Sequence, residues 1–433
     1  MQIKNKTFSF VTLGCRTNIA ESNDINNQLI TAGLKKVKDI ATGTFCIINS
    51  CCVTSKVEAK TRYFINKGIR SQKCKLIILM GCFSQIYPNQ ITDKKVGIIL
   101  GNKQKTSIVD LLKNYKPSHR NVLVELFSKS DKFEEWETYS KSNHTRAFLK
   151  IQDGCDFMCS YCIIPFARGR QRSLPHKKVI SRIKELVNNG YKEIILTGVN
   201  TAGYFENKNY GFYELIKDIN ELPGNFRIRI SSLEPFQISY QLINIITSNK
   251  ERWCQHLHIC IQSACDSIIS TMKRKYTVKS FIDLCNYIRS RSPLMSITTD
   301  CIVGFPTETE QNFQESKGNL KLIHFSDIHI FPFSSRPFTA AGKSKNIVSV
   351  FQRKQRFNEI NNLNKIEKHK YLVSFIDKTV TVLFEKSPSS TYQVGHSEYF
   401  FNVKVLTKIV LTNQLRKIKI TKVIDGDVYG VLI

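Results

Sequence analysis

Residues 154–162 read GCDFMCSYC, placing Cys155, Cys159 and Cys162 in a CxxxCxxC spacing directly behind the apolar run 147–152. Three thiolates on one tight loop can hold three irons of a 4Fe-4S cube. No fourth cysteine lies in the loop, so one iron is left open for another ligand. The competing reading is zinc, whose structural sites are closed by four protein ligands. The nearest conceivable fourth is His176, beyond an arginine-rich segment.

The run 147–152 is the first of six strand candidates separated by helical segments, followed by 193–197, 226–231, 256–261, 296–302 and 327–331. Six βα units joined by right-handed crossovers predict an open (β/α)6 relative of the eight-stranded barrel, with its chemistry at the C-terminal strand ends. Residues 1–127 alternate short apolar runs (8–13, 45–49, 76–80) with helical stretches, which predicts a separate α/β domain on a parallel sheet. A polar stretch at 128–143 reads as a linker, so the barrel domain is expected to span 144–370 and to end in a basic helix or helix pair at 343–370. In 371–433 the alternation of Val380, Val382 and Phe384, and of Phe401, Val403 and Val405, predicts a small all-β barrel.

Three more cysteines follow the three clearest strands of the first domain: Cys15 in TLGCRTN, Cys51 in INSCCVT and Cys82 in MGCFSQ. Parallel strands present their C-terminal ends along one edge, so loops distant in sequence can meet there. Gly14 and Gly81 suit a close backbone approach, and helix N-termini after the loops favour thiolate charge. A second three-cysteine cluster is expected. Cys46, Cys74, Cys254, Cys260, Cys265, Cys285 and Cys301 fit no such position. Cys52, next to Cys51, competes for it but points off the other side of an extended backbone.

The central motif, with Tyr161 just before its last cysteine, resembles the radical S-adenosylmethionine (SAM) superfamily. There the cofactor's amino and carboxylate groups chelate the open iron, and its reductive cleavage yields a 5′-deoxyadenosyl radical. The elements TLGC, N-x-C-x-V-T and GC-x-x-Q ahead of that domain, and a TRAM-type β-barrel behind it, resemble the methylthiotransferases over essentially the whole chain. That resemblance implies two 4Fe-4S clusters, on Cys155, Cys159 and Cys162 and on Cys15, Cys51 and Cys82. It also implies two SAM molecules, one as methyl donor and one as radical source, and sulfur insertion at C2 of an adenine. The segments DGCDFMCSYCIIPFARGRQR, RISSLEP, HLHICIQS, MKRKYT and TTDCIVGFP resemble the branch acting on N6-threonylcarbamoyladenosine beside the tRNA anticodon. Ala264-Cys265, Thr307 and Phe338-Thr339-Ala340 depart from the usual pattern, which bears on the substrate pocket. Other targets for the same chemistry are N6-isopentenyladenosine and a ribosomal-protein aspartate; a non-catalytic iron-sulfur RNA-binding protein is the reading of another class.

Gly198, Asn200, Ser232, Glu234, Gln262, Ser263 and Asp300 fall at or near the C-terminal strand ends, where polar groups can hold SAM. Arg168, Arg170 and Arg172 can receive tRNA phosphates or a carboxylate on the base, because a guanidinium fork binds both. Tyr392, Tyr399 and Phe400 are either RNA-stacking aromatics or core of the last barrel.

Composition fits this reading. The chain carries 64 Lys+Arg against 35 Asp+Glu, a net charge of +29 that suits a polyanion such as tRNA. No apolar run approaches the roughly 18 residues of a membrane span, and 8–13 is too short for a signal-peptide core. A cytoplasmic monomer is expected, served by an electron donor and a sulfur source. Its 14 cysteines are then ligands or buried apolar groups rather than disulfides.

Overall fold

Both Phe45–Ser50 and Leu76–Gly81 are buried along their whole length, as strands inside a parallel sheet covered on both faces must be. In the computed structural model, which describes residues 3–117, 119–136, 145–386 and 391–433, they form the centre of a six-stranded parallel sheet. Its order is Lys35–Val37, Thr7–Thr12, Phe45–Ser50, Leu76–Gly81, Ile98–Leu100, Asn121–Leu123. The register sets Thr12 beside Asn49, and Ser50 beside Gly81, so these three strands finish level with one another.

A second arc of parallel strands follows. Ala147–Lys150, Glu193–Thr197 and Arg227–Ile230 form one part; Ser232–Leu233, His256–Ile259, Ser296–Val303 and Asp327–Pro332 form the other. The third strand breaks at Ser231. Before the break it pairs with the second strand (Ile230 beside Leu196), and after it with the fourth (Ser232 beside His258). The two parts are therefore one open arc of six βα units, as the strand pattern predicts. Helix Val350–Val373 covers the last strand, with the Asn364 side chain accepting from the Ile328 N–H and Lys368 paired to Asp327. It begins at the Ser349 cap, seven residues later than the basic composition suggests.

The tail closes into a five-stranded barrel in the order Thr379–Phe384, Tyr392–Ser397, Asn402–Leu406, Asp427–Leu432, Leu415–Ile424. Val380, Val382, Phe384, Val403 and Val405 fill its core. Tyr399 packs on Phe375 beside that core, and Phe400 turns the other way to stack on His256 of the arc at 4.4 Å. Neither is a free RNA-stacking ring. The barrel is held beneath the arc by Arg227 and Arg229. Both pair with Glu193, and they donate to carbonyls of Thr381, His396, Ser397 and Glu398.

The start of the linker, 128–136, is also packed rather than solvated. Phe133 and Trp136 are buried, Asp131 pairs with Lys103, and Glu134 pairs with Arg172. The rest of that segment, and the expected boundary at His144, lie outside the described residues. No helix is long and apolar enough to cross a membrane among the described residues.

Replacing Glu193 by Ala leaves two buried guanidinium groups facing each other, so the variant should lose about 3–5 kcal/mol of stability. Urea denaturation followed by circular dichroism measures this, and unchanged stability would show that the barrel is held by other contacts.

Candidate active site

The level strand ends bring the first cysteine trio together. Cys15 caps helix Arg16–Thr31, Cys82 opens helix Cys82–Ile86, and Cys51 lies between them on the middle strand's loop. Gly14 has φ +99°, and a Cβ there would stand 2.6 Å from Cys51 Cβ; Gly81, at φ +101°, would meet the Ser50 carbonyl at 2.5 Å. Only glycine allows loops this close. Asn18 ties them by donating to the carbonyls of Leu13 and Ser50, and Thr54 ends the motif by capping helix Ser55–Arg70.

The second trio sits on a loop fixed at several points. Cys155 N–H donates to the Gly169 carbonyl, Ser160 is bound to the carbonyls of Thr271 and Met272, and Gly154 at φ +70° has no room for a Cβ against the Arg170 carbonyl. Both trios line one cavity of about 340 Å³. Burial, with Cys82 and Cys15 adding to it, pushes the Cys51 thiol up to about 12; burial does the same for Cys155. Cys159 and Cys162 are raised too, again chiefly by burial. Thiolates so placed need positive charge of the kind iron supplies. A single zinc would bring its sulfurs within roughly 4 Å of one another. Among the described residues neither trio is that tight, since the one set of three ligand atoms within 4.8 Å is His258, Asp300 and His329. The donor set fits cubane clusters, whose corners hold thiolates further apart.

Of the residues expected around SAM, Gly198, Asn200, Ser232, Glu234, Gln262 and Asp300 line this cavity. Neither polar atom of the buried Asn200 amide has a hydrogen-bond partner in the protein. Ser263 is fully buried and lies outside the lining, because the backbone turns at Gln262, whose φ is +60°. Glu234 is gripped by Arg274, whose Nη1 and Nη2 lie 3.0 and 2.6 Å from its oxygens. Burial raises the Glu234 carboxyl, although Arg274 pulls against it. Arg274 also reaches Tyr161 Oη at 3.4 Å and Cys159 Sγ at 3.8 Å. It escaped the strand-end argument because it lies between two helices; its only trace in sequence is the MKRKYT segment. Cys52 is buried outside the cavity as a free thiol, and its hydrogen bond to Cys82, against burial, lowers the Cys82 thiol to about 5.

Two of the three arginines expected to meet tRNA are committed elsewhere. Arg168 is 0% exposed, with Nη1 at 2.9 Å from both Glu21 and Asp153, and Nη2 donating to Asn18 Oδ1 at 2.6 Å. Arg172 pairs with Glu134 at 3.0 Å and donates to the carbonyls of Arg168 and Arg170. A guanidinium buried against carboxylates in this way is out of reach of a phosphate. Arg170 remains exposed, 3.7 Å from Asp156.

Comparison with known proteins agrees with this geometry. The radical SAM superfamily pattern matches residues 149–318, and that of the uncharacterized protein family UPF0004 matches 7–101. The threonylcarbamoyladenosine tRNA methylthiotransferase MtaB of Thermotoga maritima is 36% identical over 91% of this chain and 90% of its own. The chain belongs to the radical SAM methylthiotransferase family. A second relative, the tRNA-2-methylthio-N6-dimethylallyladenosine synthase of Clostridium tetani, is 31% identical over 88% of this methylthiotransferase and 85% of its own length. The fold is shared with the radical SAM methyltransferase TsrM of Kitasatospora setae, at a TM-score of 0.57 and 11% identity, over 78% of this chain and 77% of that one. Family membership brings SAM and 4Fe-4S clusters as cofactors.

A side chain at Gly14 would push directly on Cys51. Gly14→Ala in this methylthiotransferase should therefore retain about half of the iron that the wild type holds. Iron analysis after anaerobic reconstitution tests this, and full iron loading would disprove the close-approach argument.

Proposed function

We propose that this methylthiotransferase acts on tRNA, converting N6-threonylcarbamoyladenosine beside the anticodon into its 2-methylthio derivative. The observation that carries this reading is that two cysteine trios, on different sheets, line one cavity. In this reading Cys155, Cys159 and Cys162 hold the cluster with the open iron, and Cys15, Cys51 and Cys82 hold the cluster that delivers sulfur. When bound, these cofactors supply a radical able to break an aromatic C–H bond and a sulfur to replace the hydrogen.

The chain's own residues position and protect. Glu234 is placed to bind the SAM amino group and Arg274 to hold Glu234 in position, with Asn200, Ser232, Gly198 and Gln262 offering further hydrogen bonds. Phe157, Ile163, Ile302 and Phe333 keep the cavity walls apolar, which excludes water from a reactive site. Arg170 and the chain's net charge of +29 favour the phosphates of tRNA. An external electron donor and sulfur source complete the reaction, and the cytoplasm is the compartment that holds its substrate.

Nucleoside mass spectrometry on tRNA from a deletion strain should show loss of 2-methylthio-N6-threonylcarbamoyladenosine and its return on complementation. Loss of the dimethylallyl product instead, or of a methylthio group on a ribosomal protein, would refute the substrate assignment. In vitro, Cys159→Ala should abolish 5′-deoxyadenosine formation, whereas Cys51→Ala should retain it and make no methylthio product. Arg274→Ala should weaken SAM binding by about tenfold or more, the loss of a charge-assisted pair; equilibrium dialysis of the reconstituted protein reads this.

A further inference from the structure

Below the cysteines the interior of the arc holds an excess of positive charge. Arg16, the residue after Cys15, points into it. Its guanidinium stands 5.2 Å from the Phe400 ring and makes a long 3.5 Å contact with Ser231 Oγ. Among the described residues no carboxylate pairs with it. The carboxylates nearby have other partners. Glu193 is taken by Arg227 and Arg229, and Asp300 Oδ1 accepts at 3.3 Å from both His258 and His329. Arg16 is near enough for its charge to act on Asp300 and on His329.

His329 is the one of these imidazoles that faces open space, its side chain 46% exposed on the last strand. Its bond to Asp300 favours the charged imidazolium. His258 differs: it is buried, and its Nδ1 is held by Thr298 Oγ1 at 2.9 Å. The floor below is closed by Phe400 stacked on His256. One cation with no counter-charge and a second sharing its only one thus lie close to Asp300, which lines the cavity.

The geometry points to a carboxylate-binding subsite formed by Arg16 and His329, which receives the amino-acid carboxylate appended to the adenine. This assignment rests on the threonylcarbamoyladenosine reading above and explains how that nucleoside is told from its dimethylallyl counterpart. A carboxylate completes the ion pairing that the protein leaves unfinished. A dimethylallyl group would instead cover Arg16 with hydrocarbon and leave it desolvated without a partner. The ligand atoms of His258, Asp300 and His329 also lie within 4.8 Å of one another, a spacing a divalent cation accepts. The uncompensated guanidinium disfavours a second cation there and favours an anion.

The test uses the reconstituted protein and anticodon stem-loop RNAs carrying threonylcarbamoyladenosine or its threoninamide analogue, in which the carboxylate is a neutral amide. Fluorescence anisotropy gives Kd and turnover gives KM. The wild type should prefer the carboxylate RNA by about tenfold, the range of a charge-assisted pair. His329→Gln and Arg16→Gln should each reduce that preference to less than about threefold, chiefly by weakening the carboxylate RNA. Iron content is measured alongside, and if Arg16→Gln loses iron, His329→Gln and the wild-type comparison decide. Equal binding of the two RNAs by the wild type overturns the subsite, as does an undiminished preference in His329→Gln. So does a stoichiometric divalent metal, other than cluster iron, that is lost in His329→Gln. Methylthiolation of dimethylallyladenosine RNA with none of threonylcarbamoyladenosine RNA is a different outcome, because it refutes the substrate reading itself.

Discussion

Glu21, Lys105, Lys150, Asp153 and Arg168 are all almost fully removed from water, and each is tolerable only because the others are there. Glu21 belongs to the helix that starts after Cys15. Asp153 ends the strand pair leading to Cys155, and Arg168 closes the short helix behind Cys162. The network therefore bolts the element behind one cysteine trio to the elements on both sides of the other. Against the burial that would raise them, Arg168 beside Glu21 and Asp153 keeps both carboxyls well below their ordinary range. Buried charge of this kind adds little net stability compared with a well-packed apolar contact. Its value is geometric, because a guanidinium fork and two carboxylates accept few arrangements.

Much of this architecture is legible in the sequence. Apolar runs mark the main strands of both sheets to within a residue or two, because buried parallel strands must be apolar throughout. The cysteines are legible for a related reason: once the strands are placed, the positions after them share an edge. What is hidden is whatever depends on partners far along the chain. Read locally, ARGRQR is a basic loop; Arg168 becomes a core residue only through Glu21, 147 residues earlier. Phe133 and Trp136 are too few, in a polar stretch, to announce that the linker folds back. Phe400 is flanked by Tyr399 and Phe401, and nothing local says that the middle ring of the three leaves its own domain.

The departures from the family pattern spare the cluster cysteines, although Cys265 shares an apolar cluster with Tyr161 of the second trio's loop. Cys265 is buried and bonds to Glu315 and Ser267, while Thr307 and Phe338 adopt positive φ values of 75° and 65°. Backbone of that kind carries strain in non-glycine residues. Phe338 is exposed and lies 5.7 Å from Phe166, near the outer rim. None of Ala264, Cys265, Thr307 and Phe338 lines the cavity, and the six cluster cysteines are all present.

The C-terminal barrel has a role beyond its own stability. With Phe400 set into the lower end of the arc and Arg227 and Arg229 fastening it there, the arc is a cup rather than a tube. A cup has a single mouth, and here both cysteine trios stand around it. A nucleotide, a sulfonium cofactor and its fragments then share one doorway. On the function proposed above, an RNA seated in that mouth would shut the small molecules in until it leaves.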